Sequence, residues 1–199
     1  MRYFFFLSIW VLLIAHRADA EFSESVRSIN GTGETLPKGQ YELGSTGLSY
    51  GVRDDILIQA PATSLIFARG AIAAKYKTRM YETRLTPFIE LGNSAYIAAG
   101  TDIGRNFGPS LKHSVTITPK LYLQRRSLNV NGQIVKKLVL SLELNGEYDF
   151  YYGGNLAFAG LQASLPFLGY TWGFSSFYCG LVASPLSNFI PLPFAYWRF

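Results

Sequence analysis

The sequence holds a single cysteine, Cys179, and two histidines, His16 and His113. A chain with one cysteine forms no internal disulfide framework. One cysteine and one histidine beyond residue 20 also supply no zinc ligand set. Cys179 reads as a small apolar side chain on a strand. No run of 18 apolar residues follows Ala20, so no transmembrane helix is expected. No segment after Ala20 shows helical periodicity, and no fixed-period repeat or low-complexity tract occurs. Charge is sparse: without Arg2, Arg17 and Asp19, 16 basic and 12 acidic residues remain. The cations are scattered. Arg125-Arg126 and Lys136-Lys137 flank Ser127 to Val135 and read as solvated strand ends. A nucleic-acid surface would need a basic cluster on one face.

What is present starts at the N-terminus. Met1-Arg2 is a short charged start, and Tyr3 to Ala15 is almost wholly apolar. His16-Arg17 and the small-x-small step Ala18-Asp19-Ala20 follow. This is the anatomy of a secretory signal peptide, predicted over 1–20. Position 21 is Glu, so no lipidated cysteine begins the exported chain. Residues 21–36 are polar and predict a flexible periplasmic leader. Residues 37–199 are expected to form one domain.

That domain reads as strands. In KLVLSLELNGEY, Leu138, Leu140, Leu142, Leu144 and Tyr148 alternate with Ser141, Glu143, Asn145 and Glu147. A helix would smear these leucines round its axis. Val115, Ile117, Leu121 and Leu123 oppose Ser114, Thr116, Thr118 and Lys120 in the same way. Ile72, Ala74, Tyr76 and Met80 oppose Lys75, Lys77 and Arg79. Turn signals lie at 51–55, at 129–132 with Asn-Gly, at 151–155 with Gly-Gly, and at PFLG, 166–169. The predicted strands are 40–50, 55–62, 70–80, 86–98, 111–124, 136–149, 154–165, 170–183 and 189–199. Most have about 10 to 14 residues, long against a usual 5 or 6. A tilted strand needs roughly 9–11 residues to cross a bilayer. Residues 99–110 and 61–69 are the predicted functional loops.

Alternation alone fits a soluble sandwich or a membrane barrel, whose greasy faces point opposite ways. Aromatic residues near strand ends favour the barrel: Tyr50, Tyr151, Tyr152, Trp172 and Trp197 are expected to form girdles at both membrane interfaces. In AYWRF, Ala195, Trp197 and Phe199 share one face, and Phe194, Tyr196 and Arg198 the other. This terminal strand resembles the closing strand of bacterial outer-membrane barrels. TLPKGQYELG (35–44) with YGVRDDILI (50–58), and PLPFAYWRF, resemble the two ends of uncharacterised small barrels of that kind. The resemblance covers about a fifth of the chain. It implies that Phe199 and Trp197 form the signal read by the barrel-assembly machinery. It brings no catalytic residues. Pro191 and Pro193 depart from the pattern, and since proline donates no ladder hydrogen bond, pairing is expected to begin near Phe194.

The expected fold is all-β: a closed antiparallel up-and-down transmembrane β-barrel. Nine strands cannot close with both termini on one side, so eight or ten are expected, with one missed strand within 99–108 or two of the nine forming one. Lys75, Lys77, Glu90, Lys120, Glu143 and Glu147 would line the lumen, and pairing between the glutamates and lysines would plug it. The expected function is a non-enzymatic outer-membrane protein with a structural, transport or interaction role. No metal or cofactor is implied; the implied partners are outer-membrane lipid and the assembly machinery. Two alternatives stand beside it. A lipid hydrolase would use His113, with Ser110 within reach and Asp102 orienting it. His113 and Ser114, adjacent on a strand, face opposite ways and form no dyad. A soluble periplasmic lipocalin-like barrel would bind a ligand inside. Asp54 and Asp55 share a turn and read as turn chemistry.

Overall fold

The computed structural model describes residues 34–199, apart from 46, 62–69, 94, 108–111, 131–132, 153–154, 163–164, 175 and 186–189. The predicted signal peptide, leader residues 21–33 and loop residues 62–69 lie outside the described residues. The strands are β1 Tyr41–Gly44, β2 Gly47–Arg53, β3 Ile56–Pro61, β4 Ile72–Tyr76, β5 Thr78–Met80, β6 Thr83–Gly92, β7 Tyr96–Phe107, β8 His113–Val130, β9 Gln133–Tyr152, β10 Asn155–Gln162, β11 Leu165–Phe174, β12 Phe177–Ala183 and β13 Leu192–Arg198.

Strands consecutive in the chain pair antiparallel, except β4 and β5, which both pair with β6; β13 pairs with β1. The sheet therefore closes into a twelve-stranded barrel with β5 as an extra strand. β5 continues β4 on β6 in one register, with Lys75 opposite Phe88 and Thr78 opposite Leu85. Lys77 breaks off between them, its N–H donating to the Asp55 carbonyl at 2.7 Å.

Twelve strands correct the expected eight or ten. Three of the nine predicted strands are hairpins. The chain reverses between Gly44 and Gly47, between Gly92 and Tyr96, and between Phe174 and Phe177. None of these reversals carries the Asn-Gly or Gly-Gly signal. Several strands are shorter than read, β1 with 4 residues and β2, β12 and β13 with 7 each, whereas β8 and β9 are longer, with 18 and 20. PFLG lies inside β11, with Pro166 second in the strand, where a missing donor costs least. The predicted loop 99–110 is mostly β7. Its glycines mark close packing: a Cβ on Gly100 would come within 2.6 Å of the Phe88 ring and the Pro119 carbonyl.

Pairing in β13 begins earlier than Phe194, since Leu192 and Pro193 already face Val182 and Leu181 of β12. The hydrogen bonds explain why Pro193 is tolerated. The N–H of Arg198 donates towards β12, to Ser176, while those of Phe199 and Ala195 donate towards β1, to Tyr41 and to the Ser45 hydroxyl. Alternation turns the Pro193 nitrogen to the β1 side, beyond the end of β1. No donor is needed there.

The wall is uneven. β6 to β9 have 10, 12, 18 and 20 residues. The last row between β9 and β10 is Gly146 with Leu161, and β9 runs on past it to Gln133 beside β8. The long β8–β9 hairpin therefore stands above the rest of the barrel. It points away from the rim that holds both chain ends.

The greasy face is outside. Leu43, Leu48, Ile58, Ile72, Ile89, Ile97, Leu121 and Leu142 are exposed, while Glu42, Ser49, Thr86, Asp102, Ser114, Thr116 and Asp149 are almost wholly buried. Lys75, Arg84 and Glu90 are buried with them. Along β9 the leucines at 138, 140, 142 and 144 all face out, Leu142 with 77% of its surface open. A water-soluble barrel has the opposite arrangement.

Candidate functional site

The barrel interior gathers the charged residues, and the wall register fixes their levels. β4, β6, β7 and β8 carry three ionic groups, one above another. Nearest the rim of the chain ends, Glu34 is paired with Arg84 of β6 and with Lys77 at 3.3 Å. Arg84 also donates to the side chains of Asn106 at 3.0 Å and Ser114 at 3.3 Å. Above it, Lys75 of β4 meets Asp102 of β7 at 2.8 Å, both side chains more than nine-tenths buried. Thr118 of β8 donates to the other Asp102 oxygen at 2.7 Å, and the Lys75 ammonium lies over the Phe88 ring at 5.4 Å. Highest, Lys120 of β8 meets Glu90 of β6 at 2.8 Å, and the Tyr96 hydroxyl donates to the same carboxylate. Lys120 reaches Glu90 across the intervening β7, where Gly100 sits opposite Lys120 with no side chain to block it.

Of the six predicted lumen residues, the glutamate–lysine pairing joins only Glu90 and Lys120. Lys75 takes Asp102 and Lys77 takes Glu34 instead. Glu143 lies opposite Lys120 on β9 but accepts from Asn145 at 2.7 Å. Glu147 is half-buried, one register row from Val115 and Tyr148. Asp102 and Glu34 were not among the predicted lumen residues. Asp102 sat in a stretch read as loop, and Glu34 in a stretch read as leader.

Glu34, Thr35 and Leu36 are all buried. Leu36 packs on Leu57, the Thr35 hydroxyl donates to the Asp54 carbonyl at 2.7 Å, and the Lys38 N–H donates to the Asp54 carboxylate at 2.9 Å. Asp55 pairs with Arg53 at 3.0 Å. The two aspartates thus anchor the β2–β3 turn and the chain leading into β1. From that anchor the chain reaches to Arg84 and Lys77 on the β4–β6 side of the rim.

The opposite half of the interior is aromatic. Tyr151, Leu156, Tyr178 and Tyr196 form a buried cluster with Phe158 and Phe194 against it. Tyr151 was expected at a membrane interface. It points inward because neighbouring strand residues face opposite ways, and Tyr152 takes the outer face. Tyr50, Tyr152 and Trp197 are exposed, and Trp172 is half-buried beside Tyr170 at 4.9 Å. These outer rings, with Tyr41, Phe174, Phe177 and Phe199, gather at the rim of the chain ends rather than at both rims.

The predicted catalytic set is not brought together. Asp102 lies inside. His113 lies on the outer face, its Nδ1 2.7 Å from the Tyr148 hydroxyl and its ring beside Phe107 and Phe150. The sheet separates the two. Ser110 lies outside the described residues. Cys179 is a half-buried free thiol opposite Trp172 and Ala195.

No protein-family model, curated protein or solved structure matches the chain.

Proposed function

We propose that the protein is an integral β-barrel of a bacterial outer membrane, exported by the 1–20 signal peptide, with a plugged lumen and a structural, transport or interaction role rather than catalysis. One observation carries this reading. The wall turns leucine, isoleucine and aromatic side chains outward and holds Lys75, Arg84, Glu90 and Asp102 inward. In water that arrangement exposes a continuous apolar belt. In a bilayer it matches apolar-out, polar-in alternation, and closure leaves few backbone groups unpaired. The rim of outer aromatic rings supports an interfacial girdle there. A soluble lipocalin-like barrel needs the reverse alternation.

Twelve strands make a barrel wider than the eight-stranded type that side chains fill. The three ionic levels and the Glu34–Leu36 segment occupy this interior. They support a narrow or plugged path rather than an open pore. The terminal strand, with Trp197 and Phe199 outward, is the segment through which the assembly machinery would act.

Membrane fractionation tests the reading. The protein is expected to stay with membranes in alkaline carbonate and in urea, and to migrate differently on gels before and after boiling. Release by carbonate, or mobility unchanged by boiling, would reject it.

A further inference from the structure

Residues 113–142 contain no Asp or Glu, and four cations crowd the upper part of the β8–β9 hairpin. Arg126 lies directly opposite Lys137, Arg125 opposite Leu138, and Ser127 opposite Lys136. All four cations are exposed. Like charges set directly opposite destabilise a strand pair. Among the described residues, no ion pair includes Arg125, Lys136 or Lys137. Such a hairpin is electrostatically complementary to an anion.

Alternation divides the four. Arg126 continues the inner face, where its guanidinium meets the Tyr122 hydroxyl at 3.4 Å. Lys137 joins it. Arg125 and Lys136 continue the outer face, directly above the exposed leucines at 138, 140, 142 and 144. They stand diagonally across the two strands, a relation that places backbones roughly 7–8 Å apart. Two long cationic side chains at that spacing can close on one phosphate.

The level fits as well. His113 and Arg125 stand twelve residues apart on β8. At about 3.3 Å per residue and a tilt near 40°, that is roughly 30 Å along the barrel axis. An outer-membrane apolar band is about 25 Å tall. With the aromatic rim at one edge of the band, Arg125 comes just past the other.

We propose that Arg125 and Lys136 clamp the phosphate of an anionic lipid whose acyl chain lies along the β9 leucines. The proposal rests on the membrane reading above. The leucines beneath the cations favour a lipid over a free anion, because a free phosphate has no use for them.

The test uses the full exported chain in neutral detergent, with bound lipid counted by native mass spectrometry. Phosphatidylglycerol, phosphatidylcholine and inorganic phosphate are the probes. The wild type should retain phosphatidylglycerol over phosphatidylcholine, and millimolar inorganic phosphate should not displace it. Each outer cation removed should weaken the preference by about fivefold. The Arg125→Gln/Lys136→Gln variant should therefore lose it almost entirely, and the Arg126→Gln/Lys137→Gln variant should keep it. Wild-type retention by the first variant overturns the proposal. So does equal loss in both variants, which would mean unspecific attraction to a basic tip, and so does displacement by inorganic phosphate. Gel mobility before boiling reports folding. If the double variant does not fold, Arg125→Gln alone decides, with a fivefold loss expected and no loss fatal. Carbonate extraction of the wild type is read separately. Release there rejects the membrane reading, whereas firm membrane association with no lipid preference rejects only the clamp.

Discussion

Glu42 and Arg198 stand 156 residues apart in the chain and 2.7 Å apart in the barrel. They face each other inside the seam where β13 closes on β1, with Glu42 fully buried. On the outside of the same seam, Tyr41 and Phe199 exchange two backbone hydrogen bonds and stack their rings at 5.0 Å. Between β1 and β13 the seam has three paired rows, Glu42 with Arg198, Leu43 with Trp197 and Gly44 with Tyr196, flanked by the backbone bonds of Tyr41 with Phe199 and of Ser45 with Ala195. So short a ladder depends on its side chains. Arg198→Ala should cost about 3–5 kcal/mol by leaving Glu42 buried without its cation. Adding Glu42→Gln should recover part of that loss. Guanidinium unfolding followed by tryptophan fluorescence measures both, and an Arg198→Ala midpoint equal to wild type would show that the seam does not rely on this pair.

Among the described residues, Lys75 and Asp102 form the most deeply buried ion pair. Removing one partner leaves the other charge uncompensated, whereas replacing both with apolar groups of similar volume is often neutral. Lys75→Met should therefore destabilise the barrel by about 3–5 kcal/mol. Lys75→Met/Asp102→Leu should lie much closer to wild type. The same unfolding assay reads the difference. Equal losses in both would mean that Thr118 and the neighbouring groups need the Asp102 carboxylate for itself.

Glu34 ties the segment before β1 to Arg84 and Lys77 across the mouth of the barrel. Glu34→Ala should release that segment and raise single-channel conductance in planar bilayers. Arg84→Ala should act in the same direction. Unchanged conductance in both variants would place the restriction higher, at Lys75–Asp102 or Lys120–Glu90.

The low side of the wall has strands of 4 to 7 residues, against about 9–11 needed to cross a bilayer of ordinary thickness. A membrane around this barrel must thin beside β1 and β13. Folding yield should be higher in dilauroyl than in dioleoyl phosphatidylcholine vesicles, scored by the shift in gel mobility on boiling. Higher yield in the thicker bilayer would contradict the described strand lengths.

His113→Ala should leave membrane lipid profiles unchanged, because Asp102 lies across the sheet from it. It should cost about 1 kcal/mol of stability through the lost Tyr148 hydrogen bond. A changed lipid profile with unchanged stability would revive the hydrolase reading.

Much of this barrel could be read from residues alone. Leu138, Leu140, Leu142 and Leu144 declare a strand because a period of two leaves no other regular structure. The two faces of Phe194 to Phe199 were legible for the same reason. Hairpins whose turns lack the Asn-Gly or Gly-Gly step were not, so β1 with β2, β6 with β7 and β11 with β12 each read as one strand. The Gly100 and Gly104 stretch read as loop, since a glycine needed for close packing looks the same in sequence as one needed for a turn.

Alternation is local, and the sequence by itself determined it: which residues share a face, and that one face is greasy and the other charged. Which face points outward is not local. It depends on which way the closed sheet curves, and only the tertiary structure decided that. Ion-pair partners needed the same closure. Lys75 meets Asp102, and Glu42 meets Arg198, only after the register of every intervening strand is set.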